Sequence, residues 1–400
     1  MLKKMLIPIF ILTGFWLWWT TSRPIVPYIQ SEPEVEINEI EEEPTPLTTW
    51  DSGDVEKFFY NQLDEDQRAI YRALRDGVYR HDESIQLDIP DSQDAHHIFR
   101  LVMFDHPEFF WATGSSRSTV YTWDDGRIYT VFRPEYGHDI IARESMQAGI
   151  DAAVDAFLAG VEPGLSEHEL VRAVYEYLIR TVTYNLDAPD HQNIYSVFVN
   201  RESVCAGISK AAQLLLNRLG IFATYVVGDA YVPGSSDEPI PHAWNLIRVN
   251  DTYYHLDVTW GSPGFLAGSP MYGRIDVVYD YLFLNDELIF RTHTLDEIVS
   301  LPAATSLAHN FFVMNGMFHT ERHDTQLLEA MNTSISNHEA SVSFKFATPT
   351  LYQEMRPVII DDLARQAARN LAEWNGLDSA QFFIREKENL NLITIFWVYE

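Results

Sequence analysis

Cys205 is the only cysteine in a chain of 400 residues, and its surroundings suit a nucleophile. A sulfur attacks as the thiolate, and a free cysteine, with a pKa of about 8.5, keeps little thiolate at neutral pH. A helix N-terminus and a neighbouring imidazolium each lower that value. Cys205 follows the polar stretch Asn200-Arg201-Glu202-Ser203 and opens a helical pattern that runs to Leu219. Ile208, Ala211, Ala212, Leu215 and Leu219 fall on one stripe, and Gly220 stands where a helix ends. Ala206 and Gly207 keep the first turn narrow, which would let a substrate approach the sulfur.

The base must come from another element. His242 begins an apolar run, His242-Ala243-Trp244-Asn245-Leu246-Ile247-Arg248-Val249, that reads as a strand. Asn250-Asp251 make a two-residue turn into Thr252-Tyr253-Tyr254-His255-Leu256-Asp257. With Val249 opposite Thr252, His242 faces Thr259, and Asp257 becomes its diagonal neighbour on the same face. Diagonal neighbours lie roughly 7–8 Å apart at the backbone, within side-chain reach, and a slip of one residue would separate the faces. The expected site is therefore Cys205 as nucleophile, His242 as base and Asp257 orienting that base. The backbone N–H of Cys205 is a natural oxyanion donor; Gln192, Asn193 and Tyr184 stand as side-chain candidates, with none preferred.

Other readings of these residues compete. A lone cysteine is usually a small buried hydrophobe. His242, His255 and Asp257 would offer a zinc ion a partial ligand set, but no further ligand is spaced to complete it. Trp244 shares the face of His242 and reads equally as groove lining or as core. His96 and His97, adjacent on a helix, point apart and read as surface residues. Asn250-Asp251-Thr252 is a formal glycosylation acceptor, better explained as a turn.

The elements around the site follow from punctuation and periodicity. Asp64 with Gln67 forms a capping box ahead of a helix through Ile70 and Leu74 that stops at Gly77. A helix is expected over 92–104, then a hairpin of Thr119–Trp123 and Arg127–Phe132 about Asp124-Asp125-Gly126. A long helix from about Asp139 to Leu158 closes at Gly160. Ser166 and Glu169 cap the next helix, with Leu170, Val174, Tyr177 and Leu178 on one face. Strands are expected at 221–228, 242–249 and 252–258, and residues 290–312 read as a connection. A strand at 341–346, a helix at 351–374 and strands at 381–385 and 391–399 form a small C-terminal α/β unit.

Hydrophobic residues make up 46% of the chain, enough for a sizeable core. The formal net charge is −30, from 58 acidic and 28 basic residues, a balance that disfavours nucleic-acid partners. One cysteine excludes an internal disulfide and any multi-cysteine zinc site. Lys3 and Lys4 precede an apolar run from Met5 to Trp19. With its clustered tryptophans, this segment reads as an uncleaved signal anchor that leaves the body outside the cytoplasm. The Glu/Pro-rich stretch behind it reads as an extended tether. The expected organisation is an anchor at 1–23, a tether at 24–48, a helical and hairpin region at 49–160, a catalytic core at 161–290 and the C-terminal unit at 291–400.

Val204-Cys205-Ala206-Gly207, the Leu219-Gly220-Ile221 helix exit, His242-Ala243-Trp244-Asn245 and Leu256-Asp257-Val258-Thr259-Trp260 occur in one order. Together they resemble the transglutaminase-like superfamily of papain-like cysteine acyltransferases and peptidases, with looser likeness to bacterial extracytoplasmic members. The resemblance covers about 165–265. It implies an α+β fold whose cysteine-bearing helix packs on an antiparallel sheet carrying His and Asp, and a triad on Cys205, His242 and Asp257. It also implies acyl transfer through a thioester without a cofactor, on a protein or peptide substrate such as a cell-wall or surface protein. Ile208 stands where many relatives carry an aromatic residue, so the local groove differs. The rival expectation is a non-catalytic surface scaffold that keeps the fold.

Overall fold

The computed structural model describes residues 57–232, 238–263, 276–296, 298 and 300–399. The expected anchor at 1–23 and tether at 24–48 lie outside the described residues. Among the described residues, no helix is long and apolar enough to cross a membrane.

The first elements are α1 (Glu65–Arg80), α2 (Ser92–Asp105) and the paired strands β1 (Ala112–Thr122) and β2 (Ile128–Tyr136). Asp64 and Gln67 do form the capping box of α1. The helix does not stop at Gly77, however, and runs on to Arg80 with His81 in the left-handed region as its cap. Gly77 has a packing reason instead: a Cβ there would collide with the side chain of Ile85. The hairpin is longer than expected, although its turn holds Gly126 at φ +85°, as that turn requires. His96 is not a surface residue. It is buried between the hydroxyls of Ser116 and Ser118, at 2.8 and 2.9 Å.

Two capped helices follow, α3 (Ile140–Gly160, N-cap Asp139) and α4 (Glu167–Thr181, with the Ser166/Glu169 capping box). Next comes α5 (Cys205–Arg218), and Gly220 at φ +78° follows its end. The central sheet has four strands: β3 (Ala223–Ala230), β4 (Ile240–Val249), β5 (Thr252–Leu256) and β6 (His293–Leu295). Their order is β5-β4-β3-β6 and every pair is antiparallel. Val249 pairs with Thr252, as the turn chemistry predicts, and Asn250 and Asp251 both take positive φ (48° and 59°). β5 ends two residues short of the expected 258, because Val258 leaves the extended conformation (φ −67°, ψ −35°); the Asp257 N–H donates to the Tyr281 carbonyl at 3.1 Å on the far edge from β4. The chain then turns through a short 3-10 helix, Thr259–Gly261. Residues 290–312 are not merely a connection, since they supply β6.

The C-terminal part comprises α6 (Asp324–Ser336), β7 (Ser341–Phe346), α7 (Pro349–Pro357), α8 (Ala364–Asn375), β8 (Gln381–Lys387) and β9 (Leu392–Val398). The single helix expected over 351–374 is divided, with a wider π turn at Val358–Leu363 between α7 and α8. Pro357, which brings no N–H to the helical ladder, stands at the division. Its apolar cluster, from Leu327 to Trp397, differs from the large core that runs from Phe59 to Phe283. The helical and hairpin region therefore shares one core with the cysteine helix. Between the two parts lies a buried ion cluster, where Asp280 meets Lys387 at 2.8 Å and Arg385 at 3.1 Å.

Candidate active site

The site sits where α5 meets β4. α5 begins at Cys205, and no side chain caps its N-terminus. The first-turn N–H groups and the helix dipole are thus left to favour negative charge at the half-buried sulfur. Gly207 is required by packing rather than by substrate approach. A Cβ there would strike Ser203 Oγ and lie 2.8 and 2.9 Å from the carbonyl oxygens of His191 and Asn193. Ala206 is itself buried.

Hydrogen bonds join the helix of the cysteine to the strand of the histidine. The Ser209 hydroxyl donates to the Ala243 carbonyl at 3.0 Å. The buried Asn245 amide donates to the carbonyls of Ser209 (3.0 Å) and Thr224 (3.2 Å). Unpaired, these groups would each cost about 1–3 kcal/mol in the core.

His242 Nε2 donates to Asp257 Oδ2 at 2.8 Å. That leaves Nδ1 as the ring nitrogen for the Cys205 thiol, with which His242 also interacts. Burial pushes the His242 pKa down, but the Asp257 charge, the hydrogen bond to it and the sulfur together outweigh burial and raise it to about 10. For Asp257, burial is opposed chiefly by the His242 charge, and the carboxyl is held well below the usual carboxylate range. The diagonal relation expected from strand register brings these two together, although Asp257 lies just past the end of β5 and His242 has no Thr259 partner.

Aromatic rings wall the pair. Trp260 stacks on His242, with centroids 4.8 Å apart. Trp244 is fully buried and belongs to the core; its Nε1–H donates to His255 Nδ1 at 3.1 Å. His255 Nε2 in turn donates to Asp286 Oδ1 at 2.9 Å, so His255 is committed elsewhere and does not join Asp257. Of the three oxyanion candidates, Tyr184 alone has a recorded interaction with the Cys205 sulfur. Gln192 gives its carbonyl to Lys210, and Asn193 donates to the Phe110 carbonyl.

Sequence reasoning missed His293. It lies at the start of β6, buried, with Nε2 3.2 Å from Asp257 Oδ2. The remaining carboxylate oxygen, Oδ1, accepts the Trp260 N–H at 3.1 Å. His242, Asp257 and His293 form the one such trio among the described residues whose potential metal-binding atoms lie within 4.8 Å of one another. His293, not His255, is thus the additional candidate ligand. The 2.8 and 3.2 Å contacts are those of hydrogen bonds, and an ion could enter only by displacing both.

Residues 154–258 match the family model of the transglutaminase-like superfamily, so this stretch of the chain is a transglutaminase-like domain. No curated protein matches the chain. Among solved structures, a TGase overlays at 15% identity, covering 39% of this chain and 53% of its own, with a TM-score of 0.26. A proposed cysteine protease from Cytophaga hutchinsonii overlays at 15% identity, covering 36% and 62%, with a TM-score of 0.24. Menin, in a structure revealing its binding site for Mixed Lineage Leukemia protein, overlays at 14% identity, covering 78% and 66%, with a TM-score of 0.24. The chain spans about half the length of that TGase. Overlays this partial carry no argument about activity.

Proposed function

We propose that the chain is a cysteine acyl-transfer enzyme acting on peptide or glutamine carboxamide bonds. The observation that carries this reading is His242, held by Asp257 through Nε2 and interacting also with the Cys205 side chain. The Cys205 thiolate attacks the carboxamide carbonyl and forms an S–C bond. His242 delivers its proton to the nitrogen as the C–N bond breaks, and ammonia or an amine leaves. An amine or water then gives a proton to His242 and attacks the thioester, releasing the Cys205 thiolate and restoring the starting pair. The Cys205 N–H and the Tyr184 hydroxyl are the donors for the oxyanion. We place the enzyme outside the cytoplasm, anchored by residues 1–23 and acting on cell-wall or surface proteins; the Lys3-Lys4 pair ahead of the apolar run supports this.

Three measurements test the reading. Iodoacetamide should alkylate Cys205 well below pH 8, and H242A should abolish that reactivity; a thiol inert until denaturation defeats the enzyme reading in favour of a scaffold. Incubation with a glutamine donor and a primary amine then separates transamidation from hydrolysis. Protease treatment of intact cells should degrade the body; its full protection defeats the outward placement.

A further inference from the structure

We propose that His293 is a positioning residue for Asp257: its Nε2–H holds the same carboxylate oxygen that serves His242, and Thr292 holds His293 in the tautomer that can do so. The inference rests on the triad reading above and adds to it a fourth side chain from a separate strand.

The geometry is specific. Asp257 Oδ2 accepts from His242 Nε2 at 2.8 Å and from His293 Nε2 at 3.2 Å, while Oδ1 accepts from the Trp260 N–H at 3.1 Å. Rotation of the carboxylate would forfeit all three bonds, so His293 contributes direction as well as charge stabilisation. A carboxylate only accepts, so His293 must carry its proton on Nε2. Nδ1 is then an acceptor, and the Thr292 hydroxyl lies 2.8 Å from it, closer than that hydroxyl lies to the Ile289 carbonyl at 3.3 Å. A hydroxyl donating to Nδ1 excludes the other tautomer.

His293 also has to remain uncharged, because a second imidazolium would compete with His242 for one carboxylate. Its surroundings favour that. Burial lowers its pKa first of all; Asp257 opposes this, and His242 and His255 add to the lowering. The rings of Trp244 and Trp260 pack against it at 4.9 and 4.7 Å, and Tyr281 lies at 6.0 Å. His293 is thus placed as a neutral donor in a buried, aromatic-walled pocket, while His242 is the ring that takes the charge.

The test uses the full chain and follows Cys205 alkylation by iodoacetamide against pH, with thermal melting recorded for each variant. In H293L the midpoint of reactivity should move up by at least one pH unit, and the rate at pH 6 should fall tenfold or more. H293Q, whose side-chain amide can still donate, should stay within about threefold of the parent rate. T292V, which frees the tautomer, should fall between them. An H293L profile that is unchanged while the melting temperature drops would show a purely structural histidine and overturn the proposal. So would an H293Q rate as low as that of H293L at unchanged melting. Nitrogen-15 spectra of the unmodified protein decide the matter even if the variants fail to fold. His293 should be neutral and protonated on Nε2 from pH 5 to 8, and an imidazolium or an Nδ1–H form would sink the idea. If the parent protein alkylates only as a free thiol does, the triad reading fails, and the spectra still report separately on His293.

Discussion

The side-chain amide of Asn245 lies 3.0 Å from the carbonyl of Ser209, so the strand that begins near His242 is fastened to the helix that begins at Cys205. With the Ser209 hydroxyl bond to the Ala243 carbonyl, this contact ties together the elements that carry the sulfur and the imidazole. N245A removes the fastening and leaves the Ser209 and Thr224 carbonyls without that donor. The expected cost is about 1–3 kcal/mol in urea unfolding, with a several-fold loss of Cys205 alkylation at pH 6. Wild-type alkylation in a destabilised N245A would mean that the gap is set by other contacts.

D257N tests the electrostatics of the pair. Asp257 is the leading cause of the raised His242 pKa, and burial acts the other way. In the parent protein the alkaline limb of the proposed activity should therefore lie near pH 10, where the imidazolium loses its proton. In D257N burial prevails, and that limb should fall by more than two pH units, with kcat reduced on the order of 10³–10⁴-fold. The stability sign follows separately. His242, raised, contributes fully below about pH 6.5 and loses its contribution as pH climbs through about 10. Asp257, depressed, contributes fully above about pH 4 and loses its share as pH falls toward its lowered value.

Y184F separates oxyanion support from thiol activation. Alkylation by iodoacetamide builds no oxyanion, so its rate should change by no more than about twofold. Thioester formation from an ester or carboxamide substrate should slow about 100-fold, the usual order for one lost oxyanion donor. Equal losses in both assays would assign Tyr184 to the sulfur alone.

Lys345 predicts a pH dependence unrelated to catalysis. It is fully buried in the C-terminal part, with Nζ donating to the Leu390 carbonyl at 3.0 Å, and burial lowers its pKa to about 7. The unfolded chain keeps this proton to about pH 10, so the penalty is complete below about 7 and fades as pH rises from 7 to 10. K345M should raise stability at pH 6 by about 2 kcal/mol and flatten the rise of melting temperature between pH 7 and 10. An unchanged slope would mean that Lys345 is charged in the folded protein.

How much of this was legible depended on the range of the interactions. The β4–β5 hairpin could be read because two turn residues between two apolar runs carry its register locally. The Cys205 helix could be read from its stripe and its glycine exit. Gly77 misled because its reason, Ile85, lies in another element. The early end of β5 was hidden because Val258, apolar and β-branched, turns into a short 3-10 helix. His96 reads as exposed until the hairpin brings Ser116 and Ser118 to it. His293 was the hardest: β6 is three residues long, too short for any alternation, and the residue meets Asp257 36 positions away.

The unbroken core from Phe59 to Phe283 has a consequence for inheritance. Gln213, on the cysteine helix, donates to the Phe104 carbonyl at 3.0 Å, and Phe104 packs on Tyr225 of the central sheet. Residues 154–258, transplanted alone, would carry a bare apolar flank and a Gln213 amide without its Phe104 acceptor. Recombination would move this stretch with its core intact only together with the core residues on both sides of it, from Phe59 to Phe283. The stretch that is recognisable by kinship is smaller than the stretch that can survive as a body.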